Sequence, residues 1–153
     1  MWWLWLLITA LIAGAVSKSI NKNISVGKLI CISLLFAYVL FILFETIIGR
    51  TPGTMRAELV PFWSYSHSEL RSEIILNYLL FIPLGILLYL LLGKKYGMKV
   101  VLIGLALSIL IELTQLVFAL GLFEFDDIIG NTIGCMIGAY AAHSRHWALG
   151  TSA

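Results

Sequence analysis

Apolar residues in this chain come in long, nearly unbroken runs, not in the alternations or narrow stripes of a soluble fold. A membrane-spanning helix takes about 20 mostly apolar residues, within a range of roughly 17–25. Four runs meet that length. Residues 1–17 carry no charge, and residues 29–49 carry Glu45. Residues 74–92 carry none, and residues 98–120 carry Lys99 at the edge and Glu112 inside. A fifth run, 128–142, reaches about 22 Å at about 1.5 Å per residue, less than the roughly 30 Å hydrocarbon core. It is expected either to begin below the interface, drawing Asp126 and Asp127 inward, or to continue as far as Trp147. The pattern predicts an all-α polytopic membrane protein. It forms one domain, 1–153, a bundle of about five transmembrane helices. Ala13-Gly14-Ala15 resembles a signal-peptide cleavage site, but no Lys or Arg precedes the first run, so that run is read as a retained helix.

Composition agrees with this class. The chain is 61% hydrophobic and 12% charged, against about 45–50% and about 25% in soluble domains. Its mean hydropathy is +1.00. A soluble fold of 17.0 kDa lacks the interior to hide so much apolar surface. A disordered chain and a disulfide scaffold are excluded on the same grounds. The net charge of +2 points to no nucleic-acid partner. Cys31 and Cys135 sit in apolar runs without a CxxC or Cys/His cluster and read as buried thiols. His67, alone in a loop, does not read as a metal ligand; no metal or cofactor is expected. Trp2, Trp3, Trp5 and Trp147 read as interfacial anchors.

Lys and Arg set the orientation, because cytoplasmic loops are enriched in them. One arrangement puts Lys18, Lys22, Lys28, Lys94, Lys95, Lys99 and Arg145 inside. Arg50, Arg56 and Arg71 then lie outside with Glu58, Glu69 and Glu73, in the long connection 50–73. Glu124, Asp126 and Asp127 lie in the other outer loop. The N-terminus is expected outside and the C-terminus in the cytoplasm.

In that orientation the polar residues within the runs share one depth. Glu45, Asn77, Glu112, Gln115 and Asn131 all fall in the outer half, below the loops that carry Arg50, Arg56, Asp126 and Asp127. No comparable polar group is expected in the inner half. A carboxylate at mid-bilayer costs at least about 2.5–3.5 kcal/mol, so such groups are usually paired or functional. Glu112 and Gln115, three apart, share a helix face with Ser108 and Gly104. Glu45 shares a face with Tyr38 and Gly49. The arginines are the expected partners, since a guanidinium fork binds carboxylate or phosphate bidentately. The predicted feature is a polar cavity opening outward or laterally. Two plainer roles stand beside it: interhelical hydrogen bonding for Glu112 and Gln115, and helix capping for Asp126 or Asp127. Gly130, Gly134 and Gly138 form a small-residue packing stripe, within one chain or between two copies. Pro83 predicts a kink.

Four segments in order resemble the VanZ-like family of small bacterial membrane proteins, named for a teicoplanin-resistance protein. They are Val60-Pro61-Phe62, the stretch from Asn77 to Gly85, the stretch from Ser108 to Gln115, and Asp126 to Gly138. With Arg50 and Arg56 they span about residues 45–140. Relatives often approach the last helix through Arg-x-Phe-Asp-x-Asp-Asp. Here Gly121 stands at the arginine position and Glu124 at the first aspartate, so Arg50, Arg56 or Arg71 must partner the acids. The resemblance implies a multi-pass protein of the bacterial cytoplasmic membrane, linked in some members to low-level lipoglycopeptide resistance. It implies no settled activity.

Two functions are therefore expected in competition. One is binding of an amphiphile, either a membrane lipid, a lipid-linked cell-wall precursor or a lipoglycopeptide, with its head on the arginines. The other is an enzyme acting on a lipid-linked phosphate head, with Glu112, Asp126 and Asp127 as acid, base or Mg²⁺ ligands. No established catalytic spacing supports the second. A third, purely structural role would make the polar residues internal ties.

Overall fold

The computed structural model describes residues 25–53, 55–63 and 71–148. The first run, His67 and the loop acid Glu69 lie outside the described residues, as do the side chains of Arg71, Glu73, Arg145 and Trp147.

Helix α1 covers Val26–Leu43. It begins ahead of the apolar run because Ser25 caps it, its Oγ accepting the Lys28 N–H at 3.4 Å. It passes into a π-helical turn, Phe44–Ile48, where the Gly49 N–H reaches the Phe44 carbonyl at 2.8 Å. Helix α2, Arg71–Leu92, carries Pro83 inside it and stops at Gly93, whose φ of 85° suits a residue without Cβ. A 3₁₀ turn, Lys94–Tyr96, leads into α3, Gly97–Val117. Helix α4, Phe125–Ala148, starts three residues earlier than the apolar run and ends six later. Its 24 residues span about 36 Å at about 1.5 Å each. Asp126 and Asp127 thus belong to its first turn, where the helix dipole favours acids.

Three of these segments, Val26–Ile48, Ile75–Leu92 and Lys94–Val117, are long and apolar enough to cross a membrane. Burial runs opposite to that of a soluble protein. Ile30, Leu34, Leu79, Leu90, Leu110 and Met136 are exposed, while Glu112, Gln115, Asn131 and Asp126 are buried. Lipid accepts the leucines; the polar groups must turn inward.

Helices α2 and α4 lie together along most of their length, α3 touches both, and α1 runs along α2. The glycine stripe explains the first pair. A Cβ on Gly134 would strike the Tyr78 carbonyl, one on Gly138 the Ile82 carbonyl, and one on Gly85 the Cys135 carbonyl. The stripe is therefore covered by α2 of the same chain. Phe81, Leu84, Leu88, Tyr89, Val100, Ile111 and Cys135 fill the core around this contact.

One feature departs from the apolar pattern. The long connection 50–73 folds back on the bundle. Its strand β1, Arg56–Glu58, pairs in parallel with β2, Leu122–Glu124, with Arg56 opposite Leu122 and Glu58 opposite Glu124. The Gly53 N–H adds a bond to the Ala119 carbonyl at 2.6 Å. Both strands lie at the loop end of the bundle, where α1 finishes and α4 begins. Lys28, Lys94, Lys95 and Lys99 belong to the opposite end, with Lys99 Nζ 4.7 Å from the Tyr96 ring centre.

Candidate ligand-binding site

The loop end holds Glu45, Arg50, Arg56, Asn77, Glu112, Gln115, Asp126, Asp127 and Asn131, and the structure sorts them into three groups. The first group ties elements together. Glu112, 1% exposed, accepts the Glu124 N–H on Oε2 at 3.1 Å, joining α3 to β2. Gln115 donates from Nε2 to the Thr46 carbonyl at 2.8 Å, joining α3 to the π-helical turn. Thr46 in turn bonds the Ile42 carbonyl through Oγ1 at 2.8 Å. Asn131 donates from Nδ2 to Ser108 Oγ at 2.9 Å, joining α4 to α3, while its buried Oδ1 has no hydrogen-bond partner. Asp126 Oδ1 accepts the Phe62 N–H at 2.6 Å, which pins the Val60-Pro61-Phe62 turn to the start of α4. Phe62 sits at a φ of 63°, a conformation that side chains rarely take and that this bond holds in place.

The second group lines a cavity of about 580 Å³ between α1, α2 and the start of α4. Glu45, Arg50, Asn77 and Asp127 form its polar part. Phe41, Leu76, Leu79 and Leu80 form its apolar part, with Tyr38 between the helices. Tyr38 Oη donates to the Leu80 carbonyl at 2.9 Å, which fixes α1 against α2 at the cavity wall. The arrangement follows from helix geometry. Tyr38, Phe41 and Glu45 fall on one face of α1. Asn77 faces them one position after Leu76, and Pro83 lies further along α2 on the core side of the same segment.

Arg56 stands apart. It belongs to a second cavity of about 380 Å³, with Thr51, Gly53, Trp63, Ala119, Leu120, Gly121 and Leu122. Arg50 links the two regions. Its Nη1 lies 2.6 Å from where a Cβ on Gly121 would stand. Arg50 and Asp127 are also electrostatic neighbours of the Glu112 carboxyl. The end of the Arg50 side chain thus occupies the space the glycine leaves at position 121.

Sequence reasoning named the polar part of the lateral cavity but not Phe41, Leu76, Leu79 and Leu80, which look like any other lipid-facing residues. It also placed no polar group at the opposite end, where Tyr89 Oη meets His143 Nδ1 at 2.6 Å. His143 was missed because the apolar run stops one residue before it. Among the described residues no cluster of three or more His, Cys, Asp or Glu is arranged to hold a metal ion.

No curated protein and no solved structure matches the chain. A family model does: the one described as VanZ/LLP1 matches residues 3–146, nearly the whole chain, and takes in both cavities, α1 to α3 and all but the last two residues of α4. With its apolar, membrane-length helices, the chain is a membrane protein that belongs to the VanZ/LLP1 family.

Proposed function

We propose that this protein binds an amphiphilic molecule of the bacterial envelope in the lateral cavity, and that this binding underlies a role in resistance to teicoplanin-type lipoglycopeptides. The observation that carries the reading is the lining of that cavity. Charged and amide groups (Glu45, Arg50, Asn77, Asp127) meet an apolar wall (Phe41, Leu76, Leu79, Leu80) in one space of about 580 Å³. That volume lies within the roughly 300–1,000 Å³ of small-molecule sites. A head group suits the first part and an acyl or prenyl chain the second. The lysines at the far end favour a cytoplasmic placement there. The cavity then faces the outer leaflet of the plasma membrane, the N-terminus lies outside and the C-terminus inside.

The alternative, an enzyme acting on a lipid phosphate, draws less support. Glu112 and Asp126 already accept backbone N–H groups from the loops that shape the site, which is a positioning duty. The test is native mass spectrometry with lipid identification on gently purified protein, wild type beside Arg50→Ala and Leu79→Trp. The expected result is a defined co-purifying amphiphile that both variants lose while remaining folded. Retention by both, or no selective ligand on wild type, overturns the proposal.

A further inference from the structure

The end of one side chain, Arg50, reaches from the lateral cavity to a residue that lines the second. Arg50 lines the lateral cavity. Gly121 lines the second cavity, and Arg50 Nη1 fills the place of its absent Cβ at 2.6 Å. The second cavity has a distinct character. Arg56, the Thr51 hydroxyl and the Trp63 indole line it with hydrogen-bond donors, and among the described residues no acidic one does. The lateral cavity, by contrast, has Arg50 as its one cation among the described residues, with Glu45 and Asp127 elsewhere on its wall. An anionic group entering from the membrane side is therefore drawn to Arg50, and a second one beyond it to Arg56.

We propose that the ligand's head group carries two separated anionic groups and passes Arg50, placing the inner one on Arg50 and the outer one on Arg56 in the second cavity. The reading rests on the amphiphile site proposed above and narrows its ligand class. A prenyl or acyl diphosphate has this chemistry; a lipid with one phosphate does not. Arginine suits both positions because its planar fork holds phosphate bidentately while its long stem lets the group move aside.

The test measures binding of a polyprenyl monophosphate, a polyprenyl diphosphate of the same chain length, and inorganic diphosphate to the full chain in detergent. Wild type is compared with Arg56→Ala, Arg56→Lys and, as a charge control at the opposite end, Lys99→Ala. Wild type is expected to prefer the diphosphate lipid about tenfold or more. Arg56→Ala should lose that preference while holding the monophosphate lipid as before, Arg56→Lys should restore part of it, and Lys99→Ala should change neither. Equal binding of the two lipids by wild type, or an equal loss of both in Arg56→Ala, overturns the two-cavity head group and leaves the amphiphile site standing. Inorganic diphosphate binding as tightly as the lipid diphosphate would also overturn it, since the tail would then contribute nothing. If neither lipid binds, this proposal falls, and the amphiphile reading is decided separately by the native mass spectrometry above.

Discussion

Alanine placed along one face of α4 should separate three glycines that look equivalent in the sequence. A Cβ on Gly130 would meet the Asn77 Cβ and the Tyr78 ring at 3.8 Å, an ordinary contact. A Cβ on Gly134 or Gly138 would instead run into the carbonyls of Tyr78 and Ile82 on α2. Those atoms are backbone in the middle of a helix and cannot retreat alone; α2 and α4 must part. Opening a radial gap of roughly 0.5–1 Å forfeits about a quarter to a half of each contact's attraction, along the most extensive helix contact in the molecule. Overpacking of this kind costs about 1–3 kcal/mol. Against it stands the intrinsic gain of alanine over glycine in a helix, up to about 1 kcal/mol. Gly130→Ala should therefore be neutral or stabilising by up to about 1 kcal/mol. Gly134→Ala and Gly138→Ala should lie about 1–3 kcal/mol below Gly130→Ala, which is about 0–2 kcal/mol below wild type once a full gain of about 1 kcal/mol is credited. Unfolding in mixed micelles by denaturing-detergent titration, followed by circular dichroism, measures all three. Equal stabilities within about 0.5 kcal/mol would refute the close approach of α2 and α4.

Gly121→Ala meets only the end of the Arg50 side chain, so its stability should stay within about 0.5 kcal/mol of wild type while Arg50 is displaced; a drop in ligand retention without a change in unfolding is the expected result. Gln115→Leu removes the donor to the buried Thr46 carbonyl and should cost about 0.6 kcal/mol, with about 1.7 as the upper end for bonds between membrane helices, read by the same unfolding titration. Asp126→Ala releases the Phe62 N–H; hydrogen exchange over residues 55–63 should rise while that of α2 stays as in wild type. Glu112→Gln keeps an acceptor for the Glu124 N–H whereas Glu112→Leu leaves that buried amide without a partner, a penalty of about 1–3 kcal/mol that should appear as lower thermal stability of the leucine variant alone.

Much of the framework was readable because lipid imposes a blunt rule: segments that cross it must be long and apolar. That rule marked the helices now seen at Val26–Leu43, Arg71–Leu92 and Gly97–Val117, and a carboxylate such as Glu112 stands out inside such a run. The ends were less legible. Helix α4 continues to Ala148, the extension past the short run that was expected as far as Trp147, and it also starts at Phe125, three residues before that run, which the apolar pattern did not show. The β1–β2 pair escaped notice because three residues carry no periodicity and each strand's partner lies far along the chain. Within the site, chemical type was legible but assignment was not. Gln115 and Asn77 are both amides in apolar runs, yet one ties α3 to Thr46 and the other lines the cavity. That difference depends on which helix faces which, and neighbours in the bundle leave no mark on single-chain spacing. Arg50 reaching over Gly121 is of the same kind: a missing side chain in one segment is answered by a long one from another.

Bonds that tie the connection between α1 and α2 to the bundle come from later in the chain: from β2, the carbonyl of Ala119, and Asp126. A ribosome delivers the N-terminal part first. The nascent protein therefore exposes both walls of the lateral cavity, α1 and α2, well before Asp127 and the anchors of that connection exist. Chains that stall before residue 122 carry α1 and α2 without the strand that pairs with β1 and without Asp127 on the cavity wall. The lateral cavity gains its full lining only once the start of α4 has emerged.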